Sequence, residues 1–148
     1  MIEFRLAKKD DFDQVSAIEN SCFKQPYSKA DLEYEFYKNP VNKIIVAVSE
    51  NKVVGFIDFL ITFNSSTIMQ VAVREEERRK GIATSLLKEM EASFPKEIDD
   101  LVETITLEVR ESNVAGQELY KANGYEVITV KKHYYKDGEN AVYMLKRL

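Results

Sequence analysis

From Ile2 to Leu6 the chain alternates apolar and polar residues, the two-residue period of a strand with one buried face. Asp10 or Asp11 can then cap a helix that carries Phe12, Val15, Ile18 and Phe23. After Pro26, Ser28 is placed to cap a second helix through Leu32, Tyr34 and Phe36, which ends before Pro40. Two β-branched and aromatic runs follow, Lys43 to Val48 and Val53 to Ile61, joined by Ser49-Glu50-Asn51-Lys52 as a tight hairpin. Asn64-Ser65-Ser66 leads into a third run, Thr67 to Val73, so three successive antiparallel strands are expected.

At Gly81 the period changes. Ile82, Ala83, Leu86, Leu87, Met90 and Phe94 recur at helical spacing and form one apolar stripe. Thr104 to Val109 returns to alternation, with Ile105, Leu107 and Val109 on one face and Thr106, Glu108 and Arg110 on the other. A short helix fits Val114 to Ala122, capped by Ser112 or Asn113 and stopped at Asn123-Gly124. Tyr125 to Val130 and Val142 to Leu145 are the last strands. The predicted order is β-α-α-β-β-β-α-β-α-β-β, an α+β chain with a mixed sheet and no internal repeat.

With 148 residues, 45% of them hydrophobic and 31% charged, residues 1–148 are expected to form a single folded domain. The net charge of −4 disfavours nucleic acid and anionic lipid as partners and suits a basic substrate, although it also serves solubility. Cys22 is the only cysteine, so no disulfide forms within the chain, and a buried thiol is the simpler reading than a nucleophile. No apolar run is long enough for a membrane and no signal peptide is evident, which predicts a cytoplasmic protein. His133 is the sole histidine, and no metal site is expected around it.

The stretch from Val71 to Thr84 runs from a strand into a loop with the basic triplet Arg78-Arg79-Lys80, and then into a helix at Gly81. Amide groups at a helix start point at anions, and glycine lets a ligand approach the backbone. A charged surface loop is the alternative reading. The stretch lacks the endings of a P-loop and of a dinucleotide fingerprint. Arg78-x-x-Gly81-x-Ala83 resembles the Q/R-x-x-G-x-G/A signature of the GNAT acetyltransferases, at the expected place between the fourth strand and the third helix. The resemblance implies the GNAT fold and an acetyl-CoA co-substrate. It assigns the CoA pyrophosphate to the turn Arg78, Arg79, Lys80, Gly81, Ile82, Ala83 and Thr84, and the pantetheine arm to the strand Val71-Ala72-Val73.

A second block, Leu107 to Tyr125, is similar to the L-E-V-R-x-S-N-x-x-A-x-x-L-Y-x-x-x-G-F segment of the RimI-type ribosomal-protein alanine N-acetyltransferases. Lys132-His133-Tyr134-Tyr135 and Asn140 to Met144 resemble their tail. The resemblance implies that Glu108 is the general base for the amine and Tyr120 the general acid for the CoA sulfur, with Tyr120 and Asn113 also touching the cofactor. Tyr27, Tyr134 and Tyr135 are the candidates to line the acceptor groove, with ordinary aromatic packing as the alternative reading. The chemistry needs such groups, because an ammonium must lose a proton before its nitrogen attacks a thioester. Taken one at a time, a strand-end Glu is commonly solvated, a helix Tyr commonly edges a core, and Asn113 can simply cap a helix.

Pro26-Tyr27-Ser28 stands where the family reads P-W-S, Tyr125 replaces Phe, Asn140 replaces Asp, and Lys131 and Lys132 lie where an Arg is common. These departures touch acceptor recognition. The resemblance implies acetylation of the N-terminal alanine of a small-subunit ribosomal protein, by a monomer or weak homodimer. Acetylation of a lysine or a small amine, or acyl-CoA binding without catalysis, are the competing readings.

Overall fold

The computed structural model describes residues 1–148 apart from the Asp99 side chain. The strands and helices follow the expected order: β1 Ile2–Leu6, α1 Phe12–Cys22, α2 Lys29–Glu33, β2 Asn42–Ser49, β3 Lys52–Thr62, β4 Ser65–Val73, α3 Ile82–Ala92, β5 Thr104–Arg110, α4 Val114–Ala122, β6 Glu126–Lys131 and β7 Ala141–Arg147. The seven strands form one mixed sheet in the order β1-β2-β3-β4-β5-β7-β6. β4 and β5 pair in parallel over Ser65–Ile68 and Thr104–Leu107, whereas β1–β2, β2–β3, β5–β7 and β6–β7 are antiparallel. None of the helices among the described residues is long and apolar enough to cross a membrane.

Local details depart from the sequence pattern in three places. Phe23 lies just past α1 with an extended backbone, because the chain turns there toward Pro26. α2 is one short turn capped by the Ser28 side chain, which accepts from Asp31 N, and the chain continues as a π-helical turn over Tyr34–Lys38. Ser65 and Ser66 belong to β4 and not to a loop, since the two-residue connection Phe63-Asn64 closes the β3–β4 turn with Phe63 at φ 54°. The β2–β3 hairpin also closes on two residues, Glu50 and Asn51, at φ 51° and 64°. Left-handed conformations at both centres match the strand twist.

The chain forms two compact units, Met1–Leu60 with Gln70–Phe94, and Ile61–Met69 with Pro95–Leu148. In the first, Val15 and Ile18 of α1 pack on Ile44, Val46, Val53, Phe56 and Ala72 of the sheet, joined by Phe23 and Phe36. Phe59 meets Phe94 edge-on at 6.2 Å between ring centres, and Leu86, Leu87 and Met90 of α3 are buried. Gly55 is required by crowding: a Cβ there would lie 2.9 Å from the Ala72 carbonyl oxygen. In the second unit the alternation in β5 buries Ile105, Leu107 and Val109, as the pattern predicts. β7 inserts between β5 and β6, so Glu108 lies opposite Tyr143, which is in turn level with Thr129.

Asp11, paired with Arg5 at 2.7 Å, is buried in the first unit, and two further carboxyl groups there have no exposed surface. Glu19 is fully buried and its Oε1 accepts from Tyr27 N at 2.7 Å and from Gln70 Nε2 at 2.8 Å, which ties the segment after α1 to the sheet. Asp58, opposite Ile44 in the β2–β3 ladder, is also fully buried, and neither of its oxygens meets a donor in hydrogen-bonding geometry. Burial pushes Asp58 up to about 7; the Asn42 side chain opposes this, while Glu35 and Glu19 add to it. Glu19 is raised as well, by burial, against the pull of its Gln70 and Tyr27 hydrogen bonds.

An acid whose folded-state pKa exceeds its unfolded one holds more protons folded than unfolded between the two values. Asp58 therefore favours the fold fully below 3.8, and that contribution fades as the pH climbs to about 7. Asp58→Asn is expected to gain on the parent, in urea unfolding, by on the order of 2 kcal/mol more at pH 8 than at pH 5; the same difference at both pH values would refute the titration. Gly55→Ala is expected to lower stability by about 1–3 kcal/mol, because its neighbour is backbone and cannot swing aside. A thermal melt matching the parent's would show that the strands spread to admit the methyl group.

Candidate active site

In the first unit, β4 ends at Val73 and the chain makes a 3-10 turn, Glu75–Glu77, before Arg78. The entry is anchored by Arg74, whose N donates to Val54 O at 2.8 Å and whose Nε donates to Val53 O at 2.8 Å. Arg78 folds back, with Nε donating to Val73 O at 3.1 Å and Nη2 lying 3.5 Å from Cys22 Sγ. The thiol is half-buried and itself points at Val73 O, 3.7 Å away. Cys22 thus packs under the turn as a structural group. Arg79 takes φ 66° and Gly81 φ 78°, two left-handed residues that reverse the chain into α3.

The first turn of α3 carries no acidic side chain, and its first intrahelical bond runs from Ser85 N to Gly81 O at 3.0 Å. Ile82 and Ala83 precede that bond, so their amides share the outward direction and positive end of the helix dipole. Nothing lies within 4 Å of where a Gly81 Cβ would sit, so the turn is open to an approaching ligand. Lys80 is held by Glu77 at 2.9 Å, and Arg79 is exposed. Ala72 faces the α1 side of the sheet with the core, and Val73 is buried. These features fit a diphosphate held by main-chain amides with basic side chains around it. Tyr27 is in the same unit, with its N bonded to Glu19, and burial raises its hydroxyl well above the usual phenol range.

In the second unit the strand register brings several chosen residues together. Glu108 on β5 and Lys131 on β6 flank Tyr143 of the intervening β7. The lysine reaches across: its Nζ donates to Glu108 Oε1 at 2.8 Å and lies 4.5 Å from the centre of the Tyr143 ring and 5.4 Å from that of Tyr134. This hydrogen bond raises the Lys131 pKa, with burial opposing. Glu108 is thus half-buried and already engaged, where the sequence alone left a strand-end carboxylate.

Tyr134 and Tyr135 stack edge-on at 5.1 Å between ring centres. The Arg110 guanidinium lies 4.1 Å over the Tyr135 ring and bonds Asp137 and Glu139 at 2.9 Å and 2.8 Å, which pins the β6–β7 connection to β5. Burial pushes Tyr135 up to about 12, opposed by Arg110 and reinforced by Tyr134 and Glu108. Tyr120 on α4 is buried against Tyr125, 5.6 Å between ring centres. Its hydroxyl is raised above the usual range by burial and, secondarily, by Tyr135. Tyr135 therefore shares an electrostatic neighbourhood with both Glu108 and Tyr120. Asn113 caps α4 through Oδ1, which accepts from Gly116 N at 2.8 Å, so Nδ2 is the end left for a ligand.

The sequence reading missed Lys131 as the partner of Glu108, because nothing in the chain order says that β7 enters between β5 and β6. It also missed the buried pair Glu19 and Asp58. A charged residue in the middle of the apolar run Val53 to Ile61 was the available signal for Asp58. Among the described residues no cluster of His, Cys, Asp and Glu is arranged to hold a metal ion.

Comparison with known proteins agrees with this arrangement. Residues 12–125 match the model of the acetyltransferase (GNAT) family. An N-alpha-acetyltransferase of Saccharolobus solfataricus is 34% identical over 97% of this chain and 92% of its own. The ribosomal protein bS18-alanine N-acetyltransferase of Haemophilus ducreyi is 28% identical over 92% of this chain and 93% of its own. Arabidopsis thaliana NAA60, solved in complex with acetyl-CoA, shares the fold with a TM-score of 0.90 at 16% identity, covering 100% of this chain and 99% of that one. With the glycine turn at the head of α3, the mixed seven-stranded sheet and these relatives in agreement, the chain belongs to the GNAT family of acetyl-CoA-dependent N-acetyltransferases.

Proposed function

We propose that this enzyme acetylates the α-amino group of a protein N-terminus, with the N-terminal alanine of a small-subunit ribosomal protein as its acceptor, and that residues 1–148 act as one catalytic domain. The observation that carries the reading is the grip of Glu108 on a primary ammonium, that of Lys131, at 2.8 Å beside two tyrosine rings. A carboxylate and aromatic faces are what an acceptor ammonium requires.

Glu108 takes the amine proton and Tyr120, kept protonated by burial, gives one to the departing sulfur. The acyl oxygen is met by a main-chain N–H of β4. Val71, Ala72, Val73 and the turn from Arg78 to Thr84 hold the acetyl donor, with Asn113 Nδ2 as a further contact. Tyr27, Tyr134 and Tyr135 line the acceptor groove. An α-amine, with a reference pKa near 8 against about 10.4 for lysine, gives up its proton to a carboxylate more readily.

The discriminating assay offers acetyl-CoA with an Ala-starting ribosomal peptide, an N-terminally blocked lysine peptide and spermidine. The Ala peptide is expected to react fastest; preference for either of the others would overturn the acceptor. Glu108→Gln is expected to lower kcat roughly 10²-fold with CoA affinity kept, and unchanged turnover would take Glu108 out of the mechanism. Gly81→Val should weaken CoA binding roughly tenfold or more, since its backbone at φ 78° suits glycine and the added group stands in the ligand's approach. Calorimetry giving the parent's affinity in a folded variant would count against the cradle.

A further inference from the structure

The carboxylate assigned as base does not face empty solvent. Lys131 is on the β-strand two places away, its Nζ 2.8 Å from Glu108 Oε1, and the Tyr143 and Tyr134 rings flank the ammonium at 4.5 Å and 5.4 Å. The strand register makes this geometry hard to avoid. Glu108, Tyr143 and Thr129 are level across β5, β7 and β6, and Lys131 is two residues further along β6, on the same face as Thr129. A four-carbon side chain can then span the intervening strand by lying over the Tyr143 ring. An acceptor amine would need the same three partners, so the chain's own lysine stands in the acceptor's position.

We propose that Lys131 is a site of self-acetylation in cis, a modification that this enzyme performs on its own Nζ when acetyl-CoA is present without a competing acceptor. The inference rests on the reading of Glu108 as the general base. In the step, the Lys131 ammonium gives a proton to the Glu108 carboxylate and its nitrogen lone pair bonds to the thioester carbonyl carbon. The C–S bond breaks and the sulfur takes a proton from Tyr120; the second proton that the nitrogen sheds as the amide forms passes through solvent to restore Tyr120, and Glu108 releases its own to solvent. The products are Nε-acetyl-Lys131 and free CoA, so no further reactant is required. The reaction is slow relative to acetylation of an α-amine, because a lysine ammonium paired with a carboxylate yields its proton reluctantly. It removes the charge on Lys131 and with it the ion pair that occupies Glu108.

The test incubates the purified, full-length enzyme with acetyl-CoA alone and follows each lysine by peptide mapping and mass spectrometry. Lys121, exposed at the end of α4, reports the background of chemical acetylation. Lys131 is expected to gain an acetyl group at least tenfold faster than Lys121, with a first-order rate constant that does not depend on enzyme concentration. In Glu108→Gln the rate at Lys131 should fall to the background. Lys131 reacting no faster than Lys121, or at a rate that rises with enzyme concentration, overturns the inference, as does undiminished modification in Glu108→Gln. A parallel sample with the Ala-starting peptide separates the two readings: peptide acetylated and Lys131 untouched sinks only the self-acetylation, whereas neither acetylated sinks both.

Discussion

Two parallel strands cannot be closed by a tight turn, and this sheet contains one such pair, β4 with β5, among antiparallel neighbours. The chain must leave β4, cross over and return, and the crossover is α3. A helix placed immediately after a strand needs an abrupt reversal at its start, which Arg79 and Gly81 provide in left-handed conformation. The exposed N-terminal end of α3 is thus a by-product of strand direction: the same requirement that completes the sheet produces a helix N-terminus with outward amides. Arg78 and Arg74, bonded to the carbonyls of Val73 and Val53, hold that reversal in place.

A second constraint acts within β5, β7 and β6. Because β7 enters between the strands that bear Glu108 and Lys131, the two charged groups meet across a tyrosine and not side by side. Arg110, two residues from Glu108 on the same strand, secures the connection that carries Tyr134 and Tyr135 through Asp137 and Glu139. Glu108, Tyr143 and Lys131 are therefore supported by one set of ladder contacts, and a shift in β7 register would disturb all three together.

Much of this was legible in the residue pattern. The change from a two-residue to a 3.6-residue period at Gly81 and the alternation of Ile105, Leu107 and Val109 reflect burial on one face, which the order of apolar residues records directly, while the boundaries of α4 are marked by its capping residues Asn113 and Asn123-Gly124. The motif around Arg78 and the block from Leu107 to Tyr125 identified the family. What stayed hidden depends on contacts between distant segments. The partner of Glu108 follows from strand order, and the enclosure of Asp58 and Glu19 follows from how α1 and the segment before α2 cover the sheet. The short α2 was masked by Tyr34 and Phe36, whose apolar spacing suits a helix while the backbone widens to a π turn.

The side chain of Arg78 is spent on the Val73 carbonyl, Lys80 is matched by Glu77, and Glu75 and Glu76 stand just ahead of them. The neighbourhood of the glycine turn is therefore close to electroneutral despite its basic triplet. Attraction for an anion there falls off within about one turn of the helix end, since it comes from oriented peptide dipoles more than from mobile cations. A field of that short range would favour a compact anion able to enter against the main chain over an extended polyanion passing at a distance.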